Sequence, residues 1–105
     1  MDQQRKERIA RNQSRFREIN ERFGSAIFSC ECGDLGCTTR MSVPRPVYES
    51  VRADPRRFLV KPDHRVPEAE ELVVARDEWA VVRKRDDVAE IVEERDPRRA
   101  ARSAS

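Results

Sequence analysis

Residues 28–37 read FSCECGDLGC, from Phe28 to Cys37, and all three cysteines of the chain, Cys30, Cys32 and Cys37, fall inside this stretch. Three thiols do not close into an even set of disulfides, so the question is what they hold and what completes them. Zinc prefers four ligands at tetrahedral corners, drawn from thiolate sulfur and imidazole nitrogen. The spacing C-x-C-x4-C supplies three, and His64, the one histidine, is available as the fourth. It stands 27 positions beyond Cys37, in the proline-framed turn Pro62-Asp63-His64 that follows the apolar run Phe58-Leu59-Val60. No spacing rule brings it to the cysteines; the count of ligands argues that it goes there. Gly33 and Gly36 read as places where positive φ lets backbone N–H groups point at sulfur. Glu31 and Asp34 read as added negative charge, offset by arginines such as Arg40.

Two other readings of the cluster stay open. One is free thiols, or a redox pair with a resolving partner. The other is a two-iron, two-sulfur cluster: the C-x-C step resembles that of CDGSH-type proteins, which use three cysteines and a histidine. Here Thr38-Thr39-Arg40 follows the third cysteine in place of the Asp-Gly-Ser-His stretch that supplies their histidine, so that resemblance stops at two ligands.

Composition makes a cross-link useful. Charged residues are 40% of the 105, and hydrophobic ones, alanine and cysteine included, only 37%. At about 25 cal/mol per Å² of apolar surface, a chain this lean buries little against the entropy of ordering. It has room for one modest core. No apolar run approaches the roughly 18 to 20 residues of a membrane span, and Met1 leads into a polar, arginine-rich segment without a signal-peptide core, so a cytoplasmic protein with no membrane contact is expected. In a reducing compartment, clustered cysteines are more often ligands or redox groups than disulfides. The net charge of +2 is unevenly placed, with basic ends flanking an acidic middle. Such ends suit nucleic acid or an acidic partner.

The pattern along the chain predicts an α+β fold in three parts: an amphipathic N-terminal helix over 1–24, a zinc-stabilised α+β domain over 25–95, and a disordered basic tail over 96–105. From Asp2 to Phe23 there is no proline or glycine, and Ile9, Phe16 and Phe23 fall on heptad a positions with Asn12 and Ile19 on d, before Gly24 as a stop. This narrow seam is expected to pack on its own domain, or to serve a partner helix or self-association. The residues before Phe16 look too polar to bury, so the first half is expected to project. Ala26–Cys30 and Thr38–Val43 read as the strands of a hairpin with the cysteines at its tip. Pro44–Ala53 reads as a short helix with Val47, Tyr48 and Val51 on one side, and Asp54-Pro55 as a cap opening a helical turn. Phe58–Val60 reads as a strand, Leu72–Ala75 and Trp79–Val82 as a hairpin, and Asp86 as the cap of a last helix carrying Val88, Ala89, Ile91 and Val92.

The order FSCECGDLGC, VYESVRADPRRFLV, KPDH, an apolar hairpin and a final DPR resembles a group of small actinobacterial proteins over about residues 12–97. In that group a helix with NERF precedes a C-E-C-x4-C cluster, and a P-G-H turn follows an R-x-D-P-R-x-F segment. Asp63 replaces the glycine of that turn. The resemblance implies the same ligand set and assigns no activity. Chemistry at the metal is not expected. Three thiolates and an imidazole leave no open position for water, no second histidine offers a base, and no glycine loop cradles phosphate. Deaminase-type zinc sites do combine thiolates with a catalytic glutamate, but Glu31, between two cysteines, is wrongly placed for that motif. The expected function is therefore a non-catalytic zinc-binding interaction or regulatory module. The alternatives are a nucleic-acid-associated regulator using the basic N-terminal helix, and an iron–sulfur or thiol redox sensor.

Overall fold

The computed structural model describes residues 2–23 and 26–99. The chain begins with helix α1, Gln3–Phe23. Its start is capped by Asp2, whose carboxylate accepts the Arg5 N–H at 2.8 Å, which satisfies one of the orphan amides of a helix N-terminus. The expected stop at Gly24 lies outside the described residues.

Which face of α1 turns inward differs from the expectation. The buried positions are Ala10, Gln13, Ser14, Arg17 and Asn20, at helical spacing and nearly all polar. Ile19 is 44% exposed, Ile9 and Phe16 are only half-buried, and the side chain of Phe23 lies outside the description. Each of these buried polar side chains makes at least one hydrogen bond, as burial favours, although Gln13 Oε1 has no partner among the described residues. Gln13 donates to Glu70 at 3.0 Å. Arg17 donates to the carbonyls of Pro55 and Arg57 and lies 3.6 Å over the Phe58 ring. Asn20 donates to the Ser29 carbonyl at 2.9 Å and accepts the Ser29 N–H at 2.8 Å. Hydrophobic periodicity registers apolar side chains alone, so a helix docked through polar groups leaves no such signal. The first half does not project either: Ala10 is fully buried, Lys6 pairs with Asp87 at 2.8 Å and Gln3 donates to the Asp87 carbonyl at 3.0 Å.

Strands β1, Ile27–Ser29, and β2, Arg40–Ser42, pair antiparallel with Phe28 opposite Met41. The cysteine loop joins them, and the Cys30 N–H to Thr39 carbonyl bond of 3.0 Å extends the ladder into it. Helix α2, Arg45–Arg52, buries Tyr48 and Val51, and Tyr48 stacks on Phe28 with ring centroids 4.2 Å apart. Asp54 then closes a turn by accepting the Arg56 N–H at 2.9 Å, where a helical turn was expected. Strand β3, Arg57–Val60, leads to a single 3-10 turn at Pro62–His64. Strands β4, Glu70–Ala75, and β5, Ala80–Lys84, form the hairpin, and β5 lies between β3 and β4 in an antiparallel sheet of three. The hairpin outruns its apolar residues because Glu70 and Lys84, both buried, pair with each other at 3.4 Å. Phe58, Leu59 and Val60 of β3 and Val82 of β5 are fully buried and form the middle of the core.

Helix α3, Asp86–Glu94, buries Val88, Ala89 and Val92. Asp86 sits in its first turn while Arg85 holds the cap position without a side-chain bond, so Asp86 contributes charge at the helix start instead of a cap. Beyond α3 the chain stays attached: buried Asp96 pairs with Arg52, and Arg98 bonds Glu21 and Glu49. Residues 100–105 of the expected tail lie outside the described residues. No helix among the described residues is long and apolar enough to cross a membrane.

Candidate metal centre

Two segments meet at the cysteine loop, and β3 is what brings them together. The Glu31 N–H donates to the Leu59 carbonyl at 2.8 Å, and the Leu59 N–H donates back to the Glu31 carboxylate at 2.9 Å. This pairing lays residues 30–32 along the outer edge of β3. The chain leaving β3 then passes the thiols: the Lys61 N–H donates to Cys30 Sγ at 3.2 Å, and the 3-10 turn, closed by the His64 N–H to Lys61 carbonyl bond of 2.9 Å, swings the imidazole over them.

His64 Nδ1 ends 3.5 Å from Cys30 Sγ and 3.6 Å from Cys37 Sγ. The ligand atoms of Cys30, Cys32, Cys37 and His64 all lie within 4.8 Å of one another. All four predicted residues are thus brought together, and the group can hold a metal ion. The other ring nitrogen, Nε2, faces outward, 3.9 Å from Asp63.

The hydrogen bond to Cys32, and then burial, push the Cys30 thiol well up, while the Lys61 amide pulls the other way. Cys32 is lowered to about 5, first by the hydrogen bond from Cys30, with help from Cys37 and His64 and against its burial. Packed sulfurs cannot all ionise beside one another unless a cation joins them, and a metal that displaces their protons supplies it.

Two side chains of the loop act otherwise than expected. In an extended chain successive side chains point to opposite sides, so Glu31 turns away from its flanking cysteines into the core. There it is fully buried and accepts from Asn20 at 3.0 Å as well as from Leu59. Burial pushes its carboxyl above the ordinary range, against the pull of Arg17 and of the Leu59 amide. Asp34 accepts the Gly36 N–H at 2.9 Å within the loop, and Arg40 is exposed. The glycines do not take positive φ: among the described residues none has it. Gly33 is needed for closeness, since a Cβ there would meet Ile9 Cγ2 at 2.4 Å, and the Gly33 carbonyl accepts from Asn12 at 2.9 Å. The sequence suggests other roles for Glu31 and Gly33, charge near the metal and positive φ, and none for Lys61. The alternation in C-E-C was the available signal for Glu31; the other two depend on tertiary contact.

Compared with protein-family models, with curated proteins and with solved structures, the chain matches none. The class that fold and site define is a small α+β protein with a three-cysteine, one-histidine cluster suited to a metal ion.

Proposed function

We propose that this cluster is a structural zinc site and that the protein is a non-catalytic interaction module held in shape by it. The observation that carries the reading is convergence: four ligand atoms mutually within 4.8 Å, with Nδ1 at 3.5 and 3.6 Å from two sulfurs. Zinc bonds of about 2.3 Å to sulfur and about 2.05 Å to nitrogen, at the tetrahedral angle, leave their ends about 3.6 Å apart. A two-iron cluster divides four ligands between two metal ions and separates the pairs, so mutual closeness favours a single ion. Three thiolates and a neutral imidazole fill the tetrahedron and leave a divalent ion with a net charge of about −1, a poor Lewis acid. The mechanical role follows from the connectivity, because the ion would fasten the loop at 30–37 to the turn at 62–64. Thiolate ligation of this kind suits a reducing, cytoplasmic setting.

Metal analysis with native mass spectrometry, on protein purified without added metal, tests the reading. One equivalent of zinc is expected, and His64→Ala should retain less of it. Iron with inorganic sulfide, or undiminished zinc retention in His64→Ala, would overturn it.

A further inference from the structure

On the heptad frame of α1, with Ile9 and Phe16 at a and Asn12 and Ile19 at d, three successive g positions are Arg8, Arg15 and Arg22. All three are exposed, and none has an ion-pair partner among the described residues. Arg45, Arg56, Arg83, Arg85 and Arg98 each meet a carboxylate, whereas Arg11, Arg40, Arg65 and Arg95 share the lack of an ion pair among the described residues; what sets the three apart is their regular spacing along one helix face. The corresponding e positions, Gln13 and Asn20, are buried in the protein's own polar contacts, so the seam opens only toward the arginines. Over the roughly 21 Å of helix from Arg8 to Arg22, hollows flank both ends of the seam. One, of about 570 Å³, lies between Arg8, Ile9 and Leu35 of the cysteine loop and reaches Cys32 and His64 of the cluster, with Asp34 on its wall. The other, of about 400 Å³, is lined by Arg15, Ile19, Arg22 and Pro97 together with Glu18 and Glu21, and Glu21 is already engaged by Arg98 and Arg52. Leu35 and Ile19, at 53% and 44% exposed, present apolar surface at the two ends.

We propose that this face docks an amphipathic helix of a partner protein, one whose apolar seam packs along Ile9, Phe16, Ile19 and Leu35 and whose flanking carboxylates meet the three arginines. Charge selects this occupant. In a parallel pair g faces e of the partner helix, and in an antiparallel pair g faces g. A second copy would therefore offer either the buried Gln13 and Asn20 or a like-charged row of arginines. The chain's own residues 100–105, AARSAS, carry one arginine and no acid, so they do not complement the face. Nucleic acid would neutralise the arginines through phosphates but leave the interleaved apolar seam uncovered. The inference rests on the interaction-module reading, since Leu35 is held in place by the cysteine loop.

The test uses two labelled helical peptides with identical leucine seams, one with glutamate and one with lysine at the flanking positions, titrated by fluorescence anisotropy against the zinc-loaded full chain. The glutamate peptide is expected to bind at least about tenfold tighter. The triple variant R8E/R15E/R22E should reverse the preference, and Ile19→Asp should abolish binding while leaving thermal stability unchanged. Equal binding of both peptides, an unreversed preference in the triple variant, displacement of the glutamate peptide by random-sequence duplex DNA, or a dimer dissolved by Ile19→Asp would overturn the proposal. Zinc content measured on the same samples separates the two readings: full zinc without peptide discrimination defeats the docking proposal alone, and discrimination without stoichiometric zinc defeats the metal reading alone.

Discussion

Glu31 separates two candidate ligands, yet it works on the opposite side of the chain from them. With its side chain fully buried and bonded to Asn20 and to the Leu59 amide, it ties α1, the cysteine loop and β3 together at one carboxylate. Removing it leaves the buried Leu59 amide unpaired and takes a hydrogen-bonding carboxyl from the surroundings of Arg17. Buried partners orphaned in this way cost about 2–4 kcal/mol. Glu31→Ala should therefore lower the unfolding free energy of the metal-loaded protein by that order, read as a lower urea midpoint, and also weaken metal retention. An unchanged midpoint would show that the register of the loop on β3 is set elsewhere. The candidate ligands were legible at this scale because thiol and imidazole are scarce in this chain and chemically distinctive. The role of Glu31 was harder to see, since in a chain rich in carboxylates one more attracts no notice until its burial is known.

Among the elements, α2, β3, the β4–β5 hairpin and α3 all follow from apolar spacing and turn residues, with ends displaced by a residue or two. The orientation of α1 does not. Its inward side is selected by carbonyl and carboxylate partners contributed by β1, β4 and the turn before β3, none of which is encoded in the helix itself. One contact fixes how closely α1 approaches the cysteine loop. At Gly33 an added methyl would lie 2.4 Å from Ile9 Cγ2 and 3.1 Å from the Ile9 Cα. Because helix backbone stands behind the side chain, Gly33→Ala should destabilise the protein by about 1–3 kcal/mol, the usual cost of overpacking. Shortening the neighbour in the double variant Ile9→Ala, Gly33→Ala should recover part of that loss. Simple additivity in a thermal-denaturation cycle would refute the contact.

Across the whole molecule, ion pairs and the candidate metal cluster both join segments far apart in the chain. Arg98 donates to Glu21 of α1 and Glu49 of α2, while Arg52 joins Glu21 to Asp96. Burial raises the Glu21 carboxyl, but hydrogen bonds from Arg98 and Arg52 outweigh it and hold it below the ordinary glutamate value. A depressed carboxylate contributes stability that is present above its unfolded value and is lost as pH falls through its folded value. Arg98→Gln should thus be less stable than the parent chain at neutral pH, and the gap should close as pH drops below about 4.5. Urea midpoints over a pH series measure the difference, and subtracting the two chains cancels the shared loss of metal ligation in acid. A gap independent of pH would mean that Arg98 contributes packing and not charge.

The candidate ligand types and their spacing were written in the chain, because they depend on residue chemistry. That His64 joins the cysteines depends on β3 pairing with Glu31, an edge-to-edge hydrogen-bonding match between segments far apart in sequence. The inward face of α1 was likewise decided only when distant carbonyls and carboxylates came into reach, since a buried polar side chain is stabilised by its partner and local periodicity contains no record of that partner.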